Sequence, residues 1–257
     1  MALNPKIEDW NGKRVWIIGA STGIGAALAS ELVRRGAKVA GSARSAATLK
    51  EALGSGANVL TLPADVTKYE SLHAAHDRIA AEWGGIDVMV YMAGTYKGVR
   101  AWKLGVGMAK TEFDTNVIGA YDAVAVTLPK MLEAKRGAIV IVSSVAGYRG
   151  LPNSLIYSAT KAALINMAET LYLDLASKGI GVHVVNPGFV ETPLTAQNKF
   201  KMPALIKADE AAREIVSGLA RGEFETHFPK RFTGWLKGMR HLPYGLYFKA
   251  IRKFTGL

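Results

Sequence analysis

Arg14-Val15-Trp16-Ile17-Ile18-Gly19-Ala20-Ser21-Thr22-Gly23-Ile24-Gly25 decides the fold. Its first half is a short apolar run ending at a glycine, the composition of a parallel strand covered on both faces. Its second half is a turn with glycines at Gly19, Gly23 and Gly25. Helical spacing follows as far as Arg35, and Gly36 is a helix stop. A glycine turn between a first strand and a helix lets backbone N–H groups and the helix N-terminus approach a pyrophosphate. The spacing G-x-x-x-G-x-G differs from G-x-G-x-x-G, and the G-K-[ST] of an NTPase phosphate loop is missing. In a chain with 27 glycines three close glycines alone are a weak signal, with a packing turn as the lesser alternative; the strand before and the helix after favour a nucleotide.

Outward from that turn, strands and helices alternate. Lys38 to Ser42 reads as a strand, Ala47 to Leu53 as a helix and Val59 to Leu62 as a strand. Lys68 to Trp83 has helical spacing and stops at Gly84-Gly85; Asp87 to Tyr91 is a strand, and Thr95 to Gly107 a loop. A long helix is expected from about Lys110 to Leu132, then a strand at Ala138 to Val142 and a helix at Tyr157 to Ser177. Val182 to Val185 reads as a strand, Asp209 to Arg221 as a helix capped by Asp209, and Phe224 to Phe228 as the last strand. The alternation predicts one doubly wound α/β domain of Rossmann type, with a mostly parallel sheet of about seven strands and helices on both faces. Ligands bind such sheets beyond the carboxyl ends of the strands. Gly19, Asp65, Gly94, Ser144 and Pro187 all fall there.

The second strand should carry the residue that reads the adenosine ribose. An acid there pairs with a free 2′-hydroxyl, and an arginine accepts a 2′-phosphate. No Asp or Glu occurs from Leu32 to Lys50, and Arg44 follows Ala43. The expectation is NADP(H) in preference to NAD(H). Asp65 and Val66 are placed to hold the adenine, one as acceptor and the other as apolar wall.

Tyr157 and Lys161 lie four apart on a predicted helix, hence on one face. An unperturbed tyrosine, with a pKa of about 10, is a poor base at neutral pH, and a neighbouring ammonium favours its phenolate. Ser144 at a strand end can donate to a substrate oxygen. Together they suit proton transfer at an alcohol oxygen while hydride moves at carbon. A Tyr-x-x-x-Lys pair is common on exposed helices, but Tyr157 is the only tyrosine here with lysine at that spacing.

These features, in order, resemble the short-chain dehydrogenase/reductase family over roughly Asn11 to Arg221. The motifs are the turn at Gly19–Gly25 with Ser21, Thr22 and Ile24, then Asp65-Val66, Ala93-Gly94, Asn116, Ser144, Tyr157 with Lys161, and Pro187-Gly188 with Val190 and Thr192. The interval from Ser144 to Tyr157 favours Ser144 over Ser143. The resemblance implies Tyr157 as general acid/base and Ser144 as the group polarising a carbonyl. It implies Lys161 as partner of the tyrosine and binder of the nicotinamide ribose, and Asn116 as holder of a relay water. Pro187, Val190 and Thr192 would meet the carboxamide end. Ile18 and Met92 stand where the family usually has Thr and Asn, which removes two hydrogen-bonding braces of the cofactor cleft. The family also implies a catalytic domain at 1–228, with a flap at about 192–208 whose Phe200, Met202, Leu205 and Ile206 suggest an apolar substrate. A dimer or tetramer is expected. The implied activity is interconversion of a carbonyl and a secondary alcohol; the alternative is an NADP(H)-binding sensor or scaffold without turnover.

The net charge is +11, and the extension 229–257 concentrates it. From Thr226 to Leu257 there is no acid, while Lys230, Arg231, Lys237, Arg240, Lys249, Arg252 and Lys253 alternate with aromatic and aliphatic residues. This composition fits contact with an anionic membrane surface, or a tail that covers the cleft or a subunit interface. No nucleic-acid signature accompanies it. The chain has no cysteine, so disulfides and thiolate metal sites are excluded, and no metal is expected. MALNPKIEDWNGK lacks the apolar run of a secretory signal, and no apolar run of membrane-spanning length occurs. The expected location is cytoplasmic, with a peripheral membrane contact through the tail.

Overall fold

The computed structural model describes residues 2–198 and 200–256. Lys199, within the expected flap, lies outside the described residues. The strands are β1 (Arg14–Ile18), β2 (Lys38–Ala43), β3 (Val59–Pro63), β4 (Val88–Tyr91), β5 (Gly137–Val142), β6 (Ile180–Pro187) and β7 (Glu225–Phe228). They form one sheet in the order β3-β2-β1-β4-β5-β6-β7, and every pairing is parallel. The order reverses between β1 and β4, which opens the crevice where such sheets bind ligands.

Strand alternation sets two cores. β1 sends Trp16 and Ile18 to one face and Val15 and Ile17 to the other, all wholly buried. Helices α1 (Gly23–Arg34), α2 (Ala46–Leu53) and α7 (Ala208–Ala220) cover the second face through Leu28, Leu49 and Ile215. Helices α3 (Tyr69–Trp83), α5 (Gly119–Ala134) and α6 (Tyr157–Leu175) cover the first through Ile79, Ala123 and Leu164. Each such leucine or isoleucine side chain contributes about 1.5–3 kcal/mol on burial. The paired strand starts are clamped by Arg14, whose guanidinium donates to both carboxylate oxygens of Asp87 at 2.9 and 2.5 Å.

Three expectations are corrected. The long helix is not continuous: α4 (Met108–Phe113) passes into a π-helical turn at Asp114–Ile118 before α5 begins. Asn116 sits in that turn, where its side chain bonds Thr95 and Thr160. Asp209 does not cap α7; Lys207 holds that position, and Asp209 pairs with Arg213 at 2.9 Å within the first turn. The strand expected at Val182 to Val185 runs from Ile180 to Pro187, because both flanking strands pair with it.

After β7 the chain forms α8 (Lys230–Met239) and α9 (Tyr244–Thr255), separated at Pro243 as expected. Leu236, Met239, Tyr247 and Ile251 are buried against the body. The segment following Ser144 receives them. Arg149 donates to Leu242 O at 2.7 Å and lies 4.6 and 4.1 Å from the ring centres of Tyr244 and Tyr247. Tyr148 donates to Glu225 Oε1, which also accepts from Asn186, while Lys237 pairs with the other carboxylate oxygen. No helix among the described residues is long and apolar enough to cross a membrane.

His183, on β6 next to the edge strand, is buried; its Nδ1–H donates to Glu223 O at 2.7 Å, and Nε2 has no partner among the described residues. Burial pulls its pKa down to about 4. The unfolded chain takes up that proton near pH 6.5. Between pH 6.5 and 4 the unfolded form therefore binds more protons, and stability falls as pH falls, by about 3 kcal/mol from this residue. Urea unfolding at pH 7 and pH 4.5 should show this loss in the parent protein and a much smaller one in His183→Gln. Equal losses would remove His183 as the cause.

Candidate active site

The glycine turn is built by close approach. Gly19 has φ +102°, and a Cβ there would lie 2.6 Å from the Ala93 nitrogen. A Cβ on Gly25 would lie 2.0 Å from Gly19 O and 2.9 Å from Met92 Sδ. Met92 therefore packs against the turn, and backbone bonds from Gly19 N to Ser42 O and from Met92 N to Ile18 O hold the strand ends. Thr22 precedes α1 without a side-chain cap bond, and the first turn of α1 carries no acid. Its N–H groups are thus free for an anion, and the turn fits a dinucleotide pyrophosphate on these grounds. Gly23 faces Thr192, whose Cγ2 lies 2.8 Å from where its Cβ would be, so the start of the 192–208 segment closes over the turn. Ser21 and Thr22 lie on the turn's outer side, and Ile24 packs into the core.

Beside the turn, Arg44 is exposed directly after β2. Asp65 follows β3; its carboxylate accepts from Thr67 N at 3.0 Å and Thr67 Oγ1 at 2.8 Å, which holds its pKa below the ordinary value, with Lys68 and Arg44 adding to the effect. Val66 is buried beneath the same rim, against Gly119. Gly188 is drawn elsewhere: it packs on Phe232 and Thr233 of α8. Pro187 ends β6 with its carbonyl 3.5 Å from Ser144 Oγ, and Val190 is buried.

At the end of β5 the two serines separate. Ser143 is buried and donates to Lys161 O at 2.7 Å. Ser144 stays half-open, accepts from Ala146 N at 3.1 Å and faces the Tyr157 hydroxyl. Gly147 lets α6 lie flush, since a Cβ there would be 2.6 Å from the Lys161 carbonyl carbon. Lys161 is 5% exposed; its Nζ donates to Val142 O at 3.1 Å and lies 5.5 Å from the Tyr157 ring centre. Asn116 is wholly buried, donating to Thr95 O and Thr160 Oγ1 and accepting from Thr95 N at 2.7 Å. Asn116 and Lys161 both point at the open face of Gly94: a Cβ there would lie 3.5 Å from Asn116 Oδ1 and 3.7 Å from Lys161 Nζ.

The electrostatics correct one expectation. Tyr157 is not acidified in this state. Burial pushes its pKa up, the Ser144 hydroxyl opposes that, and Glu112 and Tyr96 add to the rise. Lys161 is pulled down to about 8 by burial, against the charge of Glu112. Desolvation thus outweighs the Ser144 hydrogen bond at Tyr157 and the Glu112 charge at Lys161, and the phenol is held neutral.

Two residues at the site were not legible in the sequence. Tyr96 packs edge-on against Tyr157, ring centres 5.0 Å apart, and helps line a cleft of about 430 Å³ with Asn153, Gln197 and Phe200. Glu112, one helical turn before Asn116, is 3% exposed, and its Oε1 has no hydrogen-bond partner. An acid four residues ahead of Asn116 was its only sequence signal.

Comparison with known proteins identifies the family. The short chain dehydrogenase family model matches residues 13–202. An uncharacterised oxidoreductase of Myxococcus xanthus is 37% identical over 241 residues, 92% of this chain and 95% of that protein. A cis-4-hydroxycyclohexanecarboxylate dehydrogenase of Sinomonas cyclohexanicum is 37% identical over 214 residues, 80% of this chain and 83% of that protein. The crystal structure of a 3-ketoacyl-(acyl-carrier-protein) reductase from Brucella melitensis with NADH superposes with a TM-score of 0.78 at 27% identity, covering 85% of this chain and 97% of that one. The chain belongs to the short-chain dehydrogenase/reductase family. It is an NAD(P)-dependent oxidoreductase acting on CH–OH/C=O groups.

Proposed function

We propose that the protein interconverts a ketone and a secondary alcohol with NADP(H), and that its substrate is apolar or lipid-like. The observation that carries the reading is the meeting of Ser144, Tyr157 and Lys161 beside the glycine turn at one crevice. The bound nicotinamide supplies or accepts the hydride. Ser144 donates to the carbonyl oxygen, and Tyr157 gives its proton to that oxygen as charge develops. Lys161 and Asn116, both turned to Gly94, hold the ribose side and the proton path. Gly19, Ser21, Thr22, Gly23, Gly25 and the backbone of Ile24 would bind the pyrophosphate, Asp65 and Val66 the adenine, and Ala93, Gly94, Pro187, Val190 and Thr192 would border the nicotinamide half, while Gly188 packs on α8 instead. The Sinomonas and Brucella relatives are named for a ring alcohol and a ketoacyl group, which supports a secondary alcohol and its ketone.

Exposed Arg44, with no acid on β2, supports the 2′-phosphate reading. Phe200, 53% exposed and edge-on to Phe189, supports an apolar substrate at the cleft mouth. Ile206 packs inward, and Leu205 turns to a separate cavity of about 470 Å³ beside Phe232. Exposed Ile118, Tyr121 and Leu173 support self-association as a dimer or tetramer. On α8 and α9, exposed Trp235, Tyr244, Leu246, Phe248 and Phe254 stand among Arg231, Lys249, Arg252 and Lys253, which supports a reversible anionic-membrane contact by a cytoplasmic protein. The buried side of the same helices already covers the segment after Ser144, so tail and site are mechanically joined.

Tyr157→Phe should lower kcat by about a hundredfold or more in a panel of ketones and alcohols; an unchanged rate would refute the proton role. Arg44→Asp should reverse the NADP/NAD preference in kcat/KM, and an unchanged ratio would refute the phosphate role. Co-sedimentation with vesicles containing phosphatidylserine should fall steeply when Trp235, Phe248 and Phe254 are changed to serine. Equal binding would place the membrane contact elsewhere or nowhere.

A further inference from the structure

We propose that Glu112 is the counter-charge of Lys161, a positioning residue that keeps the charge held at Lys161 beside Tyr157. The proposal rests on reading Tyr157 and Lys161 as the proton-handling pair.

The placement is specific. Glu112 ends a turn of α4, and Asn116 follows one turn later in the π-helical segment, so both face α6. Its carboxylate is out of solvent, and Oε1 meets no donor. A buried carboxylate without a full set of partners is costly, by several kcal/mol where nothing compensates. Its compensation here is Lys161. That ammonium is equally buried; its one hydrogen bond among the described residues goes to the neutral carbonyl of Val142, and it makes no ion pair within 4 Å there. The two charges therefore act on each other through space rather than through a hydrogen bond.

Few other groups compete. From α6, Lys161 and Tyr157 face Glu112; from the loop after β4, Tyr96 and the Lys97 backbone amide do. On its own helix, Lys110 pairs with Asp114 at 2.6 Å on the exposed side. Burial pushes the carboxyl up to about 7, against the pull of Lys161, and brings the ammonium down to about 8, against the pull of Glu112. Each is thus close to the point of changing charge near neutral pH. Without the carboxylate, burial of Lys161 goes unopposed and its pKa falls. At Tyr157 the lost negative neighbour and the less charged Lys161 act in opposite senses, so Lys161 is the group to read. The limb of a pH–rate profile that reports Lys161 then moves to lower pH.

The direct test needs no substrate. In cofactor-free protein carrying ε-¹³C-lysine, the Lys161 resonance, assigned by its loss in Lys161→Met, is titrated by NMR. The expected midpoint is near 8 in the parent. It should fall by about one unit or more in Glu112→Gln and lie between the two in Glu112→Asp. An unchanged midpoint overturns the proposal. Should Glu112→Gln fail to fold, Glu112→Met is read by the same criterion. With any ketone that turns over, the basic limb of kcat should shift down by the same amount in Glu112→Gln, with KM little changed. A shift in KM alone would make Glu112 a substrate contact instead and overturn the positioning role. Should no ketone turn over, the proposed reaction fails while the titration still decides the role of Glu112.

Discussion

The seating of α6 on the end of β5 governs the site. Ser143 donates to the Lys161 carbonyl, Lys161 returns a bond to Val142, and Gly147 removes the side chain that would separate them. These contacts fix the start of α6, and with it Tyr157, against the turn that carries Ser144. The same seating takes Lys161 out of water. A helix lifted by even one methyl group would restore solvent to the ammonium and carry the phenol away from the serine. Geometry and electrostatics thus share one cause.

Burial, not charge pairing, sets the resting state. An ammonium beside a tyrosine suggests an acidified phenol, yet Tyr157 is held neutral and Lys161 is brought toward neutrality. A neutral phenol is ready to protonate a developing alkoxide, the direction of carbonyl reduction. Working as a base asks for a further positive charge at the crevice, which an oxidised nicotinamide carries. The tail helices extend the same economy outward: Arg149, Tyr148 and Glu225 tie α8 and α9 to the segment that follows Ser144.

Most of the fold was legible because it rests on local patterns. Apolar runs ending at glycine, proline or serine gave the strands, and Gly36 and Gly84 gave helix stops. The glycine turn, Ser144, Tyr157 and Lys161 were legible because their spacing is set by short connections. The π-helical turn around Asn116 was not, since it answers to Thr95 and Thr160, partners far off in sequence. The sign of the Tyr157 shift was hidden for a related reason: desolvation depends on what packs around a group, and no spacing rule reports it. Glu112 was passed over because an acid in a helix is ordinarily solvated, and only tertiary packing reveals it as buried. Asp209 misled because a short acid near a helix start fits both the cap and the first turn.

In the proposed reaction this crevice brings a hydride donor up to a carbonyl held by Ser144 and Tyr157. The most direct measurement incubates the protein with a panel of apolar ketones and, in turn, each of the two NADPH isotopomers deuterated on one face of C4, and reads the product alcohols by mass spectrometry. The expected result is a single deuterium at the carbinol carbon from one isotopomer and none from the other. Saturable NADPH binding without any deuterium transfer across the panel would contradict it and leave a nucleotide-binding protein without turnover.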